Sequence, residues 1–410
     1  MPCVRHRART RLPLIAVPAM HDVDTLVVGA GPVGSAAARH LSRDADAGSV
    51  MVVGPAEPND HRVHDGVHGA WHDQARLTRV IAGDEVWAHL AQASIARYAE
   101  IRDEGGQEFH TPGSVLYVFE HGKGFEQHRG VAQRLGAQFV EIEGDGGGRF
   151  PYFHLPPGVR SLLETGQAGV VNPRAMVANQ LRAAESRGAT VVRDVVVGLE
   201  PEAGGVLARL ASGGRLRCRR AVVAAGAYVN SFGLLPEAAP VASIGITAHF
   251  FFVDDALADE LAGMPGLLWF DDPAGGTFVY SVPPIRYPDG RLWFKIGGHR
   301  ESGPLADRGS IDEWHRSDGG EMGLEGVRQW VAAHVPALAG RAAHSVGCVI
   351  TESASAMPVI TDPLPGRLVV ATGCSGAAAK SCDEIGRIAA VLAVHGEWDS
   401  SLDRAALSGR

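Results

Sequence analysis

Cysteine is scarce in this chain, and the few residues that occur do not pair along the sequence. The five cysteines among 410 residues are odd in number, lie far apart and form no C-x-x-C pair. This pattern excludes a disulfide framework and the usual spacing of a zinc site, and it favours a reducing cytoplasm. A run of eighteen apolar residues is also missing, so the sequence predicts no membrane span.

An excess of positive charge is missing too. Lys and Arg number 38 against 46 Asp and Glu, which gives a formal net charge of −8 and a pI near 6.1. This balance argues against nucleic acid or an anionic membrane as the main partner and favours a small molecule. The apolar content is 45%, and a chain of this length exceeds what one hydrophobic core usually covers, so we expect two domains.

The first twenty residues carry several arginines followed by a short apolar stretch, which superficially resembles a signal peptide. The stretch is broken by Pro13 and Pro18, so we expect a disordered leader over residues 1–21 instead. Met20 lies just before the first predicted strand, and the true start is therefore either Met1 or Met20.

Residues 24–53 contain an apolar run, a glycine turn, a helical stretch and a second apolar run, the pattern of a βαβ unit. Gly29, Gly31 and Gly34 form G-x-G-x-x-G between the first strand and the helix. Such glycines allow a tight turn, close approach to a pyrophosphate and close packing of helix on strand, while the helix N-terminus attracts negative charge. The context favours nucleotide binding over a tight turn without a ligand.

An acidic residue at the end of the second strand usually binds the adenosine ribose, but Gly54 stands there. Glu57 follows three residues later. The sequence leaves two possibilities open: Glu57 binds the ribose from a different backbone position, or backbone groups and water bind it.

Small residues end two later apolar runs, AVVAAGAYVN at 221–230 and LVVATGCSG at 368–376. Gly226, Gly373 and Gly376 would let the backbone pass close to a flavin that spans the molecule, which an ordinary NAD domain does not need. These runs therefore favour FAD as the cofactor.

The remaining patterns alternate between helices and strands. A helix is predicted around 84–103, and another begins with Asn172 as N-cap and Pro173 in its first turn and stops at Gly188. Period-two apolar alternation over 245–300 predicts an antiparallel sheet.

We therefore expect an α/β protein, α+β overall, with a Rossmann-like FAD-binding domain built from discontinuous segments and a smaller substrate domain with a mixed or antiparallel sheet. The predicted boundaries are a leader at 1–21, the FAD-binding domain at 22–105, 160–237 and 340–398, the substrate domain at 106–159 and 238–339, and a tail at 399–410.

Six segments, taken in chain order, carry a resemblance to a known family. They are VVGAGPVGSAAA, HGAWHDQARLTR, NPRAMVANQLRAAESRGATVV, WFKIGGH, GCVITES and ATGCSGAAAKSCDEIG. From about residue 22 to 398 the chain resembles the flavin amine oxidases of the D-amino-acid oxidase superfamily, most closely the monomeric sarcosine oxidase and N-methyltryptophan oxidase group. The resemblance implies a flavoenzyme with bound FAD.

Cys348, in the segment HSVGCVITES, stands where the resembled oxidases carry the cysteine that binds flavin covalently. The resemblance implies a thioether from Cys348 to a flavin methyl carbon, with the nearby cation supplied by Arg76 or His72, whose counterparts lie beside the flavin. A small buried thiol is the alternative. It is the interpretation for Cys3, Cys218, Cys374 and Cys382.

Lys295 lies in RLWFKIGGHR, where a period of two places it on one strand face with Gly297 and His299. The resemblance implies a lysine near the flavin N5 that promotes the reaction with O2. A fixed positive charge stabilises the superoxide that the first electron transfer forms, most strongly where water is excluded. A solvent-facing strand lysine is the alternative.

Arg76 and Arg79 are three residues apart, on one face of a helix or on opposite faces of an extended segment. The resemblance implies the extended form, with Arg76 toward the flavin and Arg79 toward a substrate carboxylate. Lys380 matches the second carboxylate-binding position beside the flavin, and such a pair binds a carboxylate through charge-assisted hydrogen bonds. Ordinary surface cations are the alternative.

Tyr280 and His299 match residues near the substrate in the resembled oxidases, although Tyr280 as a core aromatic residue would give the same pattern. Some positions that would line the pocket depart from the family. They are Trp71, Met357, Ala377 and Ala378. These departures predict a preferred substrate other than sarcosine.

Together these residues predict a flavin-dependent oxidase of a C–N bond in a carboxylate-bearing, secondary or cyclic amine or amino acid, with O2 as acceptor and an imine and hydrogen peroxide as products. Two alternatives stay open. One is an FAD-dependent dehydrogenase or desaturase of a specialised-metabolism intermediate that does not use O2, and the other is a non-catalytic nucleotide-binding sensor. We expect a cytoplasmic monomer or small homo-oligomer.

Overall fold

The computed structural model describes residues 21–144, 146–270, 278–320 and 323–409, except for the side chains at 21, 123, 147, 278 and 299–302. The predicted leader lies outside these residues up to position 20. The described helices are α1 (Pro32–Leu41), α2 (Glu85–Ile95), α3 (Tyr98–Gly105), α4 (Gly122–Arg134), α5 (Pro173–Ser186), α6 (Asp255–Glu260), α7 (Arg308–Arg316), α8 (Gly323–His334) and α9 (Ala378–His395).

The described strands are β1 (His21–Val28), β2 (Val50–Val53), β3 (Arg76–Thr78), β4 (His110–Pro112), β5 (Val115–Phe119), β6 (Phe139–Glu143), β7 (Arg160–Glu164), β8 (Gly169–Val171), β9 (Thr190–Val192), β10 (Val196–Glu202), β11 (Gly205–Leu210), β12 (Arg215–Val223), β13 (Val241–Val253), β14 (Gly266–Phe270), β15 (Phe278–Arg286), β16 (Leu292–Pro304), β17 (Ala343–Ser353), β18 (Val359–Leu364) and β19 (Leu368–Thr372).

The first sheet has β1 at its centre. β1 pairs in parallel with β2 and with β12, and β19 joins β12 in parallel, while β10, β11 and β18 add antiparallel strands. Leu26 and Val27 are fully buried, as is typical of a parallel strand covered on both faces. The order β1, α1, β2 confirms the βαβ unit predicted at 24–53.

The second sheet runs in the order β17-β13-β16-β15-β14-β5-β7-β6. β13 and β16 are antiparallel, as are the pairs β14–β15 and β15–β16, which confirms the sheet predicted over 245–300. Two of its strands, β7 and β17, lie in segments that the sequence predicts for the FAD-binding domain. The partner of a strand is not visible in its own sequence, and the domain boundaries stay a prediction.

The helix signals are confirmed with one difference. The side chain of Asn172 accepts a hydrogen bond from the backbone N of Ala175, and the chain turns at Gly188 with φ +94. The helix predicted around 84–103 is two helices, α2 and α3, and Arg97 between them binds carboxylates of α9. Among the described residues no helix is both long and apolar enough to cross a membrane.

A buried ionic network joins α1, α3 and α9. The side chain of Arg39 is fully buried, and its guanidinium bonds Asp383 at 3.1 Å and Glu104 at 2.7 Å. Arg97 and His40 also bind Asp383. Burial would raise the pKa of Asp383, but the hydrogen bond and charge of His40 and the two guanidinium charges outweigh it and lower the pKa. The ionised carboxylate therefore ties together helices that support the first sheet.

Replacing Asp383 with Asn should lower the free energy of unfolding by about 3 kcal/mol, because Arg39 and Arg97 would each lose an ionised partner in a buried network. Asp399→Asn is the matched control, since Asp399 is exposed and pairs with Arg387 at the surface. It should cost about 1 kcal/mol or less. Urea unfolding of both variants measures the difference, and equal losses would contradict the role of the buried network.

Candidate active site

One cavity of about 490 Å³, here called the central cavity, lies between the first and second sheets. Its wall includes the β1–α1 turn, the loop at 67–72, the residues after β12, part of β17 and the segment 374–380. The predicted residues that line it are Gly29, Gly31, His72, Arg76, Arg79, Gly226, Tyr280, Cys348, Gly376 and Lys380. The predicted residues whose described atoms lie outside the wall are Gly34, Glu57, Lys295 and Gly373.

The β1–α1 turn leaves its backbone open to the cavity. Gly29 has φ +108, and a Cβ there would lie 2.3 Å from the carbonyl oxygen of Ala224. A Cβ on Gly34 would lie 1.8 Å from the carbonyl oxygen of Gly29, so this glycine brings α1 close to β1. Gly31 is the N-cap of α1 and lines the cavity without a side chain. An open helix N-terminus of this kind fits the pyrophosphate of FAD.

Glu57, one of the two groups that the sequence offered for ribose binding, is bound to an arginine instead. The oxygens of Glu57 accept from Nε of Arg174 at 2.9 and 2.7 Å, so both are engaged away from the cavity wall. A Cβ on Gly54 would lie 2.4 Å from the backbone N of Ala30, which explains why a glycine stands where an acidic residue is usual. Gly54 and Pro55 form the wall here, and ribose binding by Glu57 stays a prediction.

Two of the later glycines border the cavity, and the third does not. Gly226, with φ +55, and Gly376 line the wall, as do Ala377 and Ala378 at the start of α9. Gly373 packs toward Val359 instead, since a Cβ there would lie 3.2 Å from that side chain. The two predicted departures, Ala377 and Ala378, therefore lie on the cavity surface.

Cys348 lies on the partly exposed face of β17, in the cavity wall. Its Sγ is 4.0 Å from the carbonyl oxygen of Ala70, and Nη2 of Arg76 donates to the same oxygen at 3.1 Å. Burial lowers the pKa of His72 to about 4 against the pull of Glu57, so His72 is uncharged at neutral pH. Of the two predicted cations, Arg76 is therefore the charged one, and it shares the carbonyl oxygen of Ala70 with the thiol.

The other described cysteines differ in their surroundings. Cys218 and Cys382 are buried in the core, as predicted, and burial raises the pKa of Cys218 to about 12. Cys374 is only partly buried and also lines the cavity, which corrects the prediction of a core thiol. Burial by the surrounding wall raises the pKa of Cys374 to about 12, so its thiol is protonated. Cys3 lies outside the described residues.

Lys295 is buried with 1% of its surface exposed, so the alternative of a solvent-facing lysine is wrong. Its Nζ forms an ion pair with Asp73 and a hydrogen bond of 3.2 Å to the carbonyl oxygen of Ala75. The ring of Tyr280, which lines the cavity, lies 5.8 Å from Nζ, so Lys295 stands behind the cavity wall. Burial and the charge of Arg76 lower the pKa of Lys295 below its usual value, and only Cys348 acts in the opposite direction.

Asp73 is a residue that the sequence analysis missed. Its Oδ1 accepts hydrogen bonds from the hydroxyl of Tyr287 at 2.8 Å and from the backbone N of Gln74 at 2.7 Å. Its Oδ2 pairs with Lys295 and with Arg76. The acidic residue was visible three positions before Arg76, but its partner Lys295 lies 222 residues away in the chain.

A second group of charges includes Arg79 and Lys380, which line the cavity together. Arg76 begins the extended strand β3, and Arg79 directly follows its end, where Nη1 of Arg79 donates to the carbonyl oxygen of Ile81 at 2.6 Å. Lys380 is 3% exposed, which is unlike a surface cation. Burial and the charge of Arg79 lower the pKa of Lys380, whereas Glu164 raises it.

Glu164, at the end of β7, is a second residue that the sequence analysis missed. It is 2% exposed and accepts hydrogen bonds from the backbone N of Val80 at 2.6 Å and of Ile81 at 3.0 Å, and from the hydroxyl of Tyr117 at 2.6 Å. Burial raises the pKa of Glu164 above its usual value, although these hydrogen bonds and the charge of Arg79 act in the opposite direction. A carboxylate that ends a buried apolar strand was the available signal.

Tyr280 is half-buried and pairs in register with Gly297 of β16. A Cβ on Gly297 would lie 2.9 Å from the Tyr280 hydroxyl, so this glycine makes room for the phenol, while Gly298 lines the cavity. The backbone of His299 continues β16, but its side chain lies outside the described part of the chain. The predicted roles of Tyr280 and His299 near the substrate stay predictions.

A histidine pair connects the 67–72 loop to α7. The rings of His68 and His315 stack with centroids 5.0 Å apart and an interplanar angle of 8°. The Tyr228 hydroxyl donates to Asp312 at 2.7 Å and accepts from the backbone N of His68 at 3.2 Å. Burial lowers the pKa of His68 to about 4 and that of His315 to about 3. Both rings are therefore neutral at neutral pH.

A parallel βαβ unit with an open glycine turn, joined to a cavity with buried cations, is typical of dinucleotide-dependent oxidoreductases. The sequence matches the family described as FAD dependent oxidoreductase over residues 24–392. The chain therefore belongs to this family, and FAD is its cofactor. This confirms the predicted superfamily and cofactor, while the narrower sarcosine oxidase group stays a prediction.

Solved structures with the same fold cover nearly the whole chain. NikD, an unusual amino acid oxidase essential for nikkomycin biosynthesis, has 19% sequence identity and a TM-score of 0.70, over 95% of this chain and 97% of that chain. Amadoriase I from Aspergillus fumigatus, a fructosyl amine:oxygen oxidoreductase, has 17% identity and a TM-score of 0.71, over 95% and 90%.

The L-proline dehydrogenase from P. horikoshii has 16% identity and a TM-score of 0.72, over 95% of this chain and 97% of that chain. At such identities the likeness shows the fold, which confirms the predicted α/β architecture. Among curated proteins, none matches this sequence.

The neutral histidine pair should make stability depend on pH. The pKa of His315 is lowered from 6.5 to about 3, so between these values the unfolded chain binds a proton that the folded chain does not. Stability should fall as the pH drops below about 6.5, by up to about 1.4 kcal/mol per pH unit for each such histidine. His315→Gln should flatten this slope in urea unfolding from pH 7.5 to 5, whereas His154→Gln, at an exposed position, should not. Equal slopes in all three proteins would contradict this assignment.

Proposed function

We propose that this protein oxidises a C–N bond of a carboxylate-bearing, secondary or cyclic amine or amino acid to an imine, with O2 as electron acceptor and hydrogen peroxide as the second product. The observation that carries the proposal is the pair of cations, Arg79 and Lys380, in the wall of the cavity that fits FAD. Two of the proteins with the same fold, an amino acid oxidase and a fructosyl amine:oxygen oxidoreductase, support this choice of chemistry.

The chain's own residues would bind and orient the substrate. Arg79 and Lys380 bind the carboxylate through charge-assisted hydrogen bonds, and Glu164 anchors the backbone directly after Arg79. Two cations in a wall with little water also disfavour a protonated substrate amine, which leaves the nitrogen in the neutral, reactive form. The chemistry supplied by bound FAD is the acceptance of a hydride from the carbon next to that nitrogen.

Lys295 and Arg76 supply positive charge for the reaction with O2. Lys295 is almost fully enclosed, and Arg76 reaches the cavity wall beside Cys348. Positive charge in such a low-dielectric place stabilises superoxide more than the same charge in water would. We assign the promotion of O2 reduction to this pair.

One observation favours a second candidate, a dehydrogenase with another electron acceptor. Lys295 pairs with Asp73 and stands behind the cavity wall, so part of its charge is offset. An L-proline dehydrogenase is among the proteins with this fold. Hydrogen peroxide release in air separates the two candidates. Protein that stays colourless after incubation with FAD would contradict both and leave the nucleotide-binding sensor.

Pairs of amines that differ only in a carboxylate test the substrate class. Wild-type protein should release peroxide faster from the acid, and Lys380→Met should lower kcat/KM for the acid about 10–100-fold, because a hydrogen bond to a charged group contributes about 1.5–3 kcal/mol. The decarboxylated amine is the control and should react almost unchanged. Equal losses of kcat/KM for both compounds would contradict the carboxylate site. The absence of peroxide release from any acid would contradict the oxidase activity.

We infer that FAD is attached through Cys348. The support for this is that Sγ of Cys348 and the guanidinium of Arg76 both contact the carbonyl oxygen of Ala70. Acid precipitation of the wild-type protein should leave the yellow colour in the pellet, because a thioether survives unfolding. Cys348→Ala should release FAD into the supernatant, whereas Cys218→Ala, a buried core position, should keep it in the pellet. Full release from the wild-type protein would rule out the covalent bond.

A further inference from the structure

We propose that Asp73 is a positioning residue that keeps Lys295 in its charged form and fixes it beside Arg76, so that one carboxylate controls the buried positive charge behind the central cavity. The inference rests on the proposed function for its chemical consequence. The ion pair itself is tested without substrate or O2.

Asp73 directly follows the 67–72 loop, and its side chain bonds Tyr287 after β15 and Lys295 in β16. Its carboxylate is 7% exposed, and Oδ2 contacts both Nζ of Lys295 and Nη1 of Arg76. Oδ1 accepts from Tyr287, directly after β15, and from the backbone of Gln74. Both carboxylate oxygens of Asp73 therefore face donors, an arrangement that favours a charged carboxylate over a neutral one.

Among the described residues, the other groups near Lys295 are two aromatic rings, Arg76 and Cys348. The rings of Phe250 on β13 and Tyr280 on β15 lie 5.9 and 5.8 Å from Nζ. Burial and the guanidinium of Arg76 favour loss of the proton, and the thiol of Cys348 on β17 acts in the opposite direction. Desolvation beside a second cation would leave a buried lysine neutral, whereas an anion at hydrogen-bonding distance reverses this preference.

Position 295 is a lysine and not an arginine, which agrees with a charge that depends on its surroundings. Only three of the 38 basic residues are lysines, at positions 123, 295 and 380, and the last two are buried. A buried lysine gives up its proton readily, while arginine stays charged in proteins. Lys295 therefore depends on Asp73 for its charge in a way that Arg76 does not.

The scarcity of lysine makes a direct measurement possible. With lysine labelled by 13C at Cε, the protein has three side-chain signals, and Lys295→Met identifies the signal of residue 295. In the wild-type protein this signal should be that of an ammonium group at pH 7. In Asp73→Asn its titration midpoint should fall by about two pH units, because a nearby opposite charge is worth about one to three units.

Three variants make the result specific. Asp73→Glu keeps the negative charge and should restore the wild-type titration. Asp289→Asn is the matched control, since Asp289 is exposed in the turn after β15 and bonds Trp293 instead. Asp73→Ser removes the charge with a smaller side chain and replaces Asp73→Asn should that variant fail to fold. The Lys380 signal should stay in place throughout, because its charged neighbours are Arg79 and Glu164.

The proposal is overturned by a wild-type Lys295 that is neutral at pH 7, or by an unchanged midpoint in the variants that remove the charge. Stopped-flow reoxidation by O2 then separates this result from the function. If Lys295 loses its proton in Asp73→Asn and the reoxidation rate constant stays independent of pH, the ion pair stands and the proposed O2 role of Lys295 falls. We expect both to change together, with reoxidation about tenfold slower at pH 8.

Discussion

The removal of positive charge from water is the constraint on which this structure depends. Buried cations lie next to buried carboxylates: Arg39 beside Asp383, and Lys295 beside Asp73. A charge in a low-dielectric interior is stable only with a partner and with satisfied hydrogen bonds. Each of these pairs joins elements that are distant in sequence, so the same bonds that neutralise charge also fix the packing of helices on the first sheet and of the loop on the second.

The central cavity uses this constraint for chemistry. Arg79 and Lys380 line the cavity, and the buried carboxylate of Glu164 interacts with both of them. Basic side chains in this wall would attract an anionic group of a ligand, and most of the remaining wall is apolar. On the flavin side the glycine turn at 29–34 removes side chains where a pyrophosphate must approach the backbone. Substrate and cofactor would thus be recognised by opposite means, by charge and by the absence of side chains.

Much of the frame was predictable because its signals are local. The βαβ unit, the caps of α5 and the antiparallel strands over 245–300 follow from glycine spacing, capping residues and apolar period. The resemblance singled out Cys348, Arg79 and Lys380, and all three line the cavity, while their roles stay predictions. The sequence did not indicate Asp73 or Glu164. The role of a carboxylate in a loop or at a strand end depends on which cation lies next to it in the folded chain.

The order of motifs along the chain therefore determined the class of fold, the cofactor and the family, since each depends on spacing within short segments. Tertiary structure decided which charges are buried and which residues reach the cavity. It engaged Glu57 with Arg174 and brought Cys374 into the cavity wall. It also paired Lys295 with a residue 222 positions away. The physical reason is that burial and Coulomb interactions depend on distance in space, and strand pairing brings together residues that no sequence window contains.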